Sequence, residues 1–236
     1  MIFLDLFLGF LKVGCFAFGG AYGAIPLIRD VVMSYGWMGE EEMKKLIFAT
    51  GNEHKMKEIR MILADCGYEI LSMKQAGIDV DVVEDGKTFE ENAIIKATEI
   101  QKLVPDCVVL ADDSGLEVDY LNGEPGIYSA RYEGVDTPYE IKNQIIMDRL
   151  AGVPDEKRTA RFVCAIAAAF PDGRVETRRG TIEGIIGYEQ AGENGFGYDP
   201  IFYLPERGMT TAQLSPEDKN DISHRGNALR MIKEVL

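Results

Sequence analysis

Asp112 and Asp113, adjacent at the end of the apolar run Cys107-Val108-Val109-Leu110-Ala111, are the side chains best placed to do chemistry. Neighbouring residues of a strand point to opposite faces, so one of the pair is expected to look into a cleft. There it could bind Mg²⁺ or polarise a water. In α/β sheets ligands sit beyond the carboxyl ends of strands, which is where Asp112-Asp113-Ser114-Gly115 should fall. An acidic turn is the plainer alternative for an isolated DDSG.

A second chemical element is Thr50-Gly51-Asn52-Glu53-His54-Lys55. Backbone N–H groups at a helix start lack internal partners and carry the positive end of the dipole, so an anion such as phosphate is stabilised there. Thr50 and Asn52 add neutral donors and Lys55 adds a charge. Upstream of the acidic pair, Asp79, Asp81, Glu84 and Asp85 form an acidic loop, and Glu84 gains weight if a metal sits near Asp113. Gly192 to Asp199 place Phe196 and Tyr198 among glycines, where a ring can offer its face to a base. Lys219 and Ser223-His224-Arg225-Gly226 follow near the carboxyl end; taken alone, His224 reads as a surface or capping residue.

The elements that must hold these groups are readable as an α/β pattern. Leu46-Ile47-Phe48-Ala49 predicts a buried strand that breaks at Gly51 into a helix, with Met56, Ile59, Ile62, Leu63 and Cys66 at helical spacing and Gly67 as its stop. Thr88 and Glu91 fit a capping box; Phe89, Ala93, Ala97, Ile100 and Val104 then make one apolar face up to Pro105, with Asn92, Lys96 and Glu99 opposite. Thr137-Pro138-Tyr139-Glu140 predicts a second capping box on a helix ending at Gly152. Ser215-Pro216 opens a helical turn, and the chain finishes on an amphipathic helix.

With 236 residues and 46% hydrophobic content the chain can bury a full core, and one catalytic domain plus an appendage fits its length. A formal charge of −14 argues against a surface that tracks nucleic-acid backbone, so an anionic ligand must be met by a local pocket. Cys15, Cys66, Cys107 and Cys164 form neither a CxxC nor a His-containing ligand pattern and read as reduced thiols of a cytoplasmic protein.

Residues 1–38 differ from the rest: they are apolar and rich in Gly and aromatics, with charges only at Asp5, Lys12, Arg29 and Asp30. The uncharged stretch Val13–Ile28 is shorter than the ~20 residues a spanning helix needs, and Gly19-Gly20 and Pro26 interrupt it. An acidic start, MIFLD, does not fit a signal peptide. With its FGG and IPLI elements this segment resembles the amino-terminal end of chromate transporter family proteins, but it lacks the many helices of a transporter. Met43 looks like a natural start, so residues 1–42 are expected to be a fusion remnant or an artefact of start assignment, and residues 43–236 the functional domain. A membrane tether is the rival reading.

In order and spacing, TGNEHK, TFEENAIIKA, ADDSGL, PGIYSARY, GFGYDPIF and SHRGNAL resemble the inosine triphosphate pyrophosphatase family, which hydrolyses non-standard purine nucleoside triphosphates. The likeness covers residues 43–236. It implies an elongated mixed α/β fold, a long central sheet with flanking helices and two lobes around an active cleft, usually as a homodimer. It also implies that Thr50, Gly51, Asn52, Glu53, His54 and Lys55 cradle the triphosphate with Lys96. Glu84 and Asp113 would hold Mg²⁺, Asp113 would accept the proton of the attacking water, and Ser114 would touch the substrate. Phe196, Gly197, Tyr198 and Asp199 would line the base pocket, with Phe196 stacking, and Lys219, His224 and Arg225 would grip the base or nearby groups. The substrates would be ITP, dITP and XTP, and the products a nucleoside monophosphate and pyrophosphate. A nucleotide-sensing module without catalysis could dispense with Asp113 and Glu84; their presence disfavours it. A membrane-associated transport component has only residues 1–42 in its support.

Overall fold

The structure is a computed structural model that describes residues 31–32 and 44–236. Apart from residues 31–32, the expectations for residues 1–43, Cys15 included, lie outside the described residues.

Seven strands form one mixed sheet in the order β2-β1-β3-β4-β5-β6-β7. β1 (Lys44–Phe48) lies between β2 (Tyr68–Ser72) and β3 (Val108–Val118), parallel to both. Its run Leu46-Ile47-Phe48 is buried on both faces, as a central parallel strand requires. From β3 onward the sheet is antiparallel, through β4 (Thr159–Ala169), β5 (Val175–Ile186), β6 (Phe202–Leu204) and β7 (Met209–Thr210).

The expected end of β3 at Ala111 is corrected: the strand runs on through Asp112-Asp113-Ser114-Gly115, pairing Asp112 with Ile166 and Asp113 with Ala165 of β4. The carboxyl end that borders the cleft belongs to another strand. β1 pairs with β3 only as far as Phe48 with Leu110, so the acidic pair lies just beyond the carboxyl end of β1.

Helices cover both faces. On one, α1 (Glu53–Ile62) and α5 (His224–Lys233) bury Met56, Ile59, Leu63, Ala228, Leu229 and Ile232 against Leu46, Phe48, Leu110 and Ile166. On the other, α2 (Phe89–Gln101) buries Phe89, Ala93, Ala97 and Ile100 against Ile47, Val109, Ala165 and Ala167. A third cluster, with α3 (Tyr139–Arg149), gathers Leu116, Val118, Ile146, Leu150, Phe162 and Phe202 beyond the acidic pair, giving the two-lobed arrangement. The short α4 (Pro216–Ile222) leads into α5.

Local signals explain most boundaries. Asn52 caps α1, Thr88 caps α2, and Ser215 and Ser223 cap α4 and α5. Glu91 reaches back to the N–H of Lys87 rather than to that of its cap. α1 stops at Ile62, before Gly67, which turns the chain into β2 with φ +77. The second capping box does not form: Pro138 occupies the cap of α3, and the Thr137 hydroxyl donates to the Glu133 carbonyl, 2.7 Å away. α3 ends at Arg149 rather than at Gly152. Among the described residues no helix is long and apolar enough to cross a membrane.

Candidate active site

Asp112 and Asp113 divide the site between the two faces of β3. Asp112 points toward α1 and α5, where Lys55 Nζ lies 2.9 Å from its Oδ2 and Arg225 Nε and Nη2 lie 3.3 Å from the same oxygen. Burial pushes its carboxyl up, but Lys55, Arg225 and Lys96 outweigh that and hold it well below the usual carboxylate range. Its Oδ1 is buried without a hydrogen-bond partner.

Asp113 points toward α2. Its Oδ2 accepts from Asn92 Nδ2 at 2.9 Å and its Oδ1 from the Ser114 N–H at 2.9 Å. Burial, reinforced by the nearby Glu84 charge, raises this carboxyl above its ordinary value against the opposing pull of Asn92 and Lys96. Glu84 comes down from the loop before α2 to pair with Lys96 Nζ at 2.8 Å, and Lys96 also donates to the Asp112 carbonyl at 3.2 Å. Thr50, Gly51, Glu84 and Lys96 line one cavity of about 720 Å³ on this side.

A narrower cavity of about 180 Å³ opens on the other side of Asn52 and Lys55, lined among others by Ser114, Phe162, Phe196, Tyr198, Lys219, His224 and Arg225. A buried network of ions builds its wall. Glu58 Oε1 accepts from Lys219 at 3.2 Å while its Oε2 accepts from Arg225 Nη1. Lys219 also reaches Asp199 at 2.7 Å, and Arg225 Nη2 donates to Ser114 Oγ at 3.0 Å. Four of the five N–H groups of Arg225 are thus committed inside the protein.

His224 is neither a surface nor merely a capping residue. Its ring is buried and stacked on Phe162 with centroids 4.9 Å apart. Desolvation, with Arg225 and Lys219 nearby, lowers its pKa well below the ordinary value, so the ring is neutral at pH 7. Its Nδ1 is buried without a partner, in a residue that lines the pocket. This placement depends on Gly180 of β5: a Cβ there would meet the His224 carbonyl at 2.2 Å and the Ala228 N–H nitrogen at 2.6 Å, so only glycine lets α5 start so close to the sheet.

The remaining expected residues fall into place unevenly. Asn52 Oδ1 takes the N–H groups of His54 and Lys55, so the start of α1 is less open to an anion than the sequence suggests. Thr50 Oγ1 accepts from the Asn52 N–H at 3.1 Å, which leaves its own O–H free to donate. Glu53 is exposed on the first turn of α1. The His54 ring packs toward Phe196, with centroids 5.7 Å apart at 32°, on the aromatic side of the site. Phe196 lies under the Lys219 ammonium and the Arg225 guanidinium, at 5.1 and 5.6 Å from its centroid. The Gly197 carbonyl accepts from Asn143 at 3.2 Å. Tyr198 is a core residue whose hydroxyl donates to the Ser129 carbonyl at 2.8 Å. Asp199, buried, accepts from the Phe196 N–H at 2.9 Å and from Thr211 at 2.8 Å, so it shapes the loop and holds Lys219.

Glu58 and Asn92 were not expected to take part. Glu58 sits one turn after Lys55 on α1, and Asn92 one turn before Lys96 on α2; those spacings are the signals available. Cys66, Cys107 and Cys164 are free thiols, and burial pushes that of Cys164 up to about 12.

The sequence matches the model of the Ham1 family over residues 46–235, and that of the chromate transporter family over residues 4–50. The dITP/XTP pyrophosphatase of Clostridium perfringens is 49% identical over 199 residues, covering 82% of this chain and 98% of that protein. The enzyme of the same name from Bacillus subtilis is 44% identical over 194 residues, covering 82% and 98%. The structure of the Staphylococcus aureus Ham1 protein superposes with a TM-score of 0.73 at 43% identity, covering 81% of this chain and 97% of that one. A HAM1 protein from Coxiella burnetii gives 0.74 at 38% identity, covering 82% and 98%.

Proposed function

The chain belongs to the Ham1 family, and from that premise we infer that it is a nucleoside-triphosphate pyrophosphohydrolase acting on non-standard purine nucleotides. It hydrolyses ITP, dITP and XTP to the monophosphate and pyrophosphate. One structural observation carries this reading: β3 presents a carboxylate on one face and, on the other, the cation-held floor of an aromatic pocket whose His224 Nδ1 is unpartnered. A buried polar atom without a partner is expensive, so a ligand that satisfies it gains selectivity.

The base enters the pocket against Phe196, where stacking contributes about 1–3 kcal/mol. Hypoxanthine and xanthine present a keto oxygen where adenine presents an amino group. The neutral His224 ring can offer its single N–H, and Lys219 and Arg225 each keep one N–H beyond the bonds described. These donors favour the keto bases.

The triphosphate runs toward the larger cavity, past Thr50, Gly51 and Lys55 to Lys96. Lys55 and Lys96 offset charge on the phosphates, and Asp113 accepts the proton of the water that attacks the α-phosphorus. Glu84 and Asp113 are hard oxygen donors held from the same helix, Glu84 through Lys96 at 2.8 Å and Asp113 through Asn92 at 2.9 Å. They fit Mg²⁺, which is usually held by one or two carboxylates together with substrate phosphates and water. Bound there, it would neutralise charge on the leaving pyrophosphate.

We assign catalysis to residues 43–236, place the protein in the cytoplasm as a homodimer, and give residues 1–42 no part in the reaction. Pyrophosphate release from ITP, XTP, GTP and ATP, with Mg²⁺ and with EDTA, tests the reading. ITP and XTP should turn over fastest and EDTA should stop them; equal rates on ATP would overturn the selectivity, and no release from ITP would overturn the activity.

A further inference from the structure

Asn92 is fully buried in the first turn of α2, and it makes two bonds whose directions are fixed by their partners. Its Oδ1 accepts from the Gly86 N–H at 2.9 Å and its Nδ2 donates to Asp113 Oδ2 at 2.9 Å. A backbone N–H can only donate and a carboxylate can only accept, so the two bonds fix which end of the carboxamide is oxygen and which is nitrogen. Gly86 belongs to the loop that carries Glu84, two residues earlier. That loop lies so close to α2 that a Cβ at Gly86 would meet Asn92 Oδ1 at 2.7 Å and Glu91 Cβ at 2.8 Å.

We propose that Asn92 is a positioning residue that fixes Glu84 and Asp113 relative to one another, by tying the loop of the first to the strand of the second through one buried amide. The proposal rests on the reading of Glu84 and Asp113 as the hydrolytic carboxylates. Lys96, which also touches both sides, cannot do this work alone: its flexible stem bonds Glu84 and the Asp112 carbonyl, not the Asp113 carboxylate. Partners that orient a metal-binding or reacting carboxylate are typically worth about 10–100-fold in affinity or activity. Because Asn92 meets neither the aromatic pocket nor Lys55, its removal should lower kcat and leave KM for ITP nearly unchanged.

The test is a double-mutant cycle of Asn92→Ala, Gly86→Ala and the pair, read as kcat and KM for ITP and as Mn²⁺ affinity of the substrate-free enzyme by electron paramagnetic resonance. Each single variant should lose about 10-fold or more in kcat and weaken Mn²⁺ by a similar factor, with KM within about twofold. The pair should lose clearly less than the product of the single losses, because both substitutions break the same tie, although a Gly86 Cβ still meets Glu91 Cβ. Additive losses in the pair, or wild-type kcat and Mn²⁺ affinity in either single variant, would overturn the proposal. Should Asn92→Ala not fold, Gly86→Ala decides alone, since it leaves the amide in place and displaces only the loop. A wild-type protein that fails on ITP sinks the parent reading instead, which the unmodified enzyme reports separately.

Discussion

The two faces of β3 at Asp112 and Asp113 make the instructive comparison in this molecule. The residues are adjacent and chemically identical. Asp112 meets Lys55 and Arg225, is sealed from solvent, and is held firmly ionised. Asp113 meets a neutral amide and an acidic neighbour, and its carboxyl is raised. One step along a pleated strand therefore separates a charge that assembles the binding wall from one kept available for a proton and a metal. The motif supplies two roles because each side chain enters a different helix layer.

The largest expected effect breaks the wall. Asp112→Ala leaves Lys55 and Arg225 without their shared buried partner, and removing one member of such a pair costs about 3–5 kcal/mol. Chemical denaturation should show that loss, with any residual activity at raised KM. Asp113→Asn keeps size and can still accept from one of its two donors, Asn92 and the Ser114 N–H, but removes the base, so kcat on ITP should fall about 100-fold or more while the denaturation midpoint drops much less than in Asp112→Ala. Near wild-type turnover in Asp113→Asn, or an unchanged midpoint in Asp112→Ala, would exchange or abolish the two roles.

Glu58→Gln sharpens the comparison further into the wall. Burial raises the Glu58 carboxyl, but Arg225 and Lys219 outweigh it and the pKa is lowered from 4.5. A carboxyl depressed by folding stabilises the protein above its unfolded value and loses that contribution as pH falls through the folded one. Each cation keeps another carboxylate, so the variant should lose only about 1–3 kcal/mol at pH 7. The gap from wild type should be flat above pH 4.5 and close below it; a gap that widens in acid would contradict the ion network. The smallest effect on the fold is expected at the pocket's edge, where Phe196→Ala should raise KM for ITP by the equivalent of about 1–3 kcal/mol of stacking with little change in kcat or stability.

Elements whose signals are local were legible. The helix after Gly51, the caps at Thr88 and Ser215 and the apolar face of α2 each depend on residues within a turn or two. The cap at Thr137 misled because Pro138 took the position and turned the hydroxyl to Glu133. β3 extends past the apolar run although two aspartates are poor strand formers; the long ladder to β4, a tertiary pairing, overrides that preference. The burial of His224 was hidden for the same kind of reason, because it is created by Phe162 and by the missing side chain of Gly180 on distant strands. Glu58 is an ordinary polar helix residue until α4 and α5 bring Lys219 and Arg225 to it. The six ordered blocks nevertheless led to the family, because they record the site's requirements even where the fold that meets them cannot be read.

Hydrolysis of ITP in ¹⁸O-enriched water, followed by mass spectrometry of the products, tests the central claim most directly. Water delivered beside Asp113 to the α-phosphorus puts the label in inosine monophosphate and leaves pyrophosphate unlabelled. Label in pyrophosphate, or in inorganic phosphate accompanied by inosine diphosphate, would place the attack elsewhere and contradict the account.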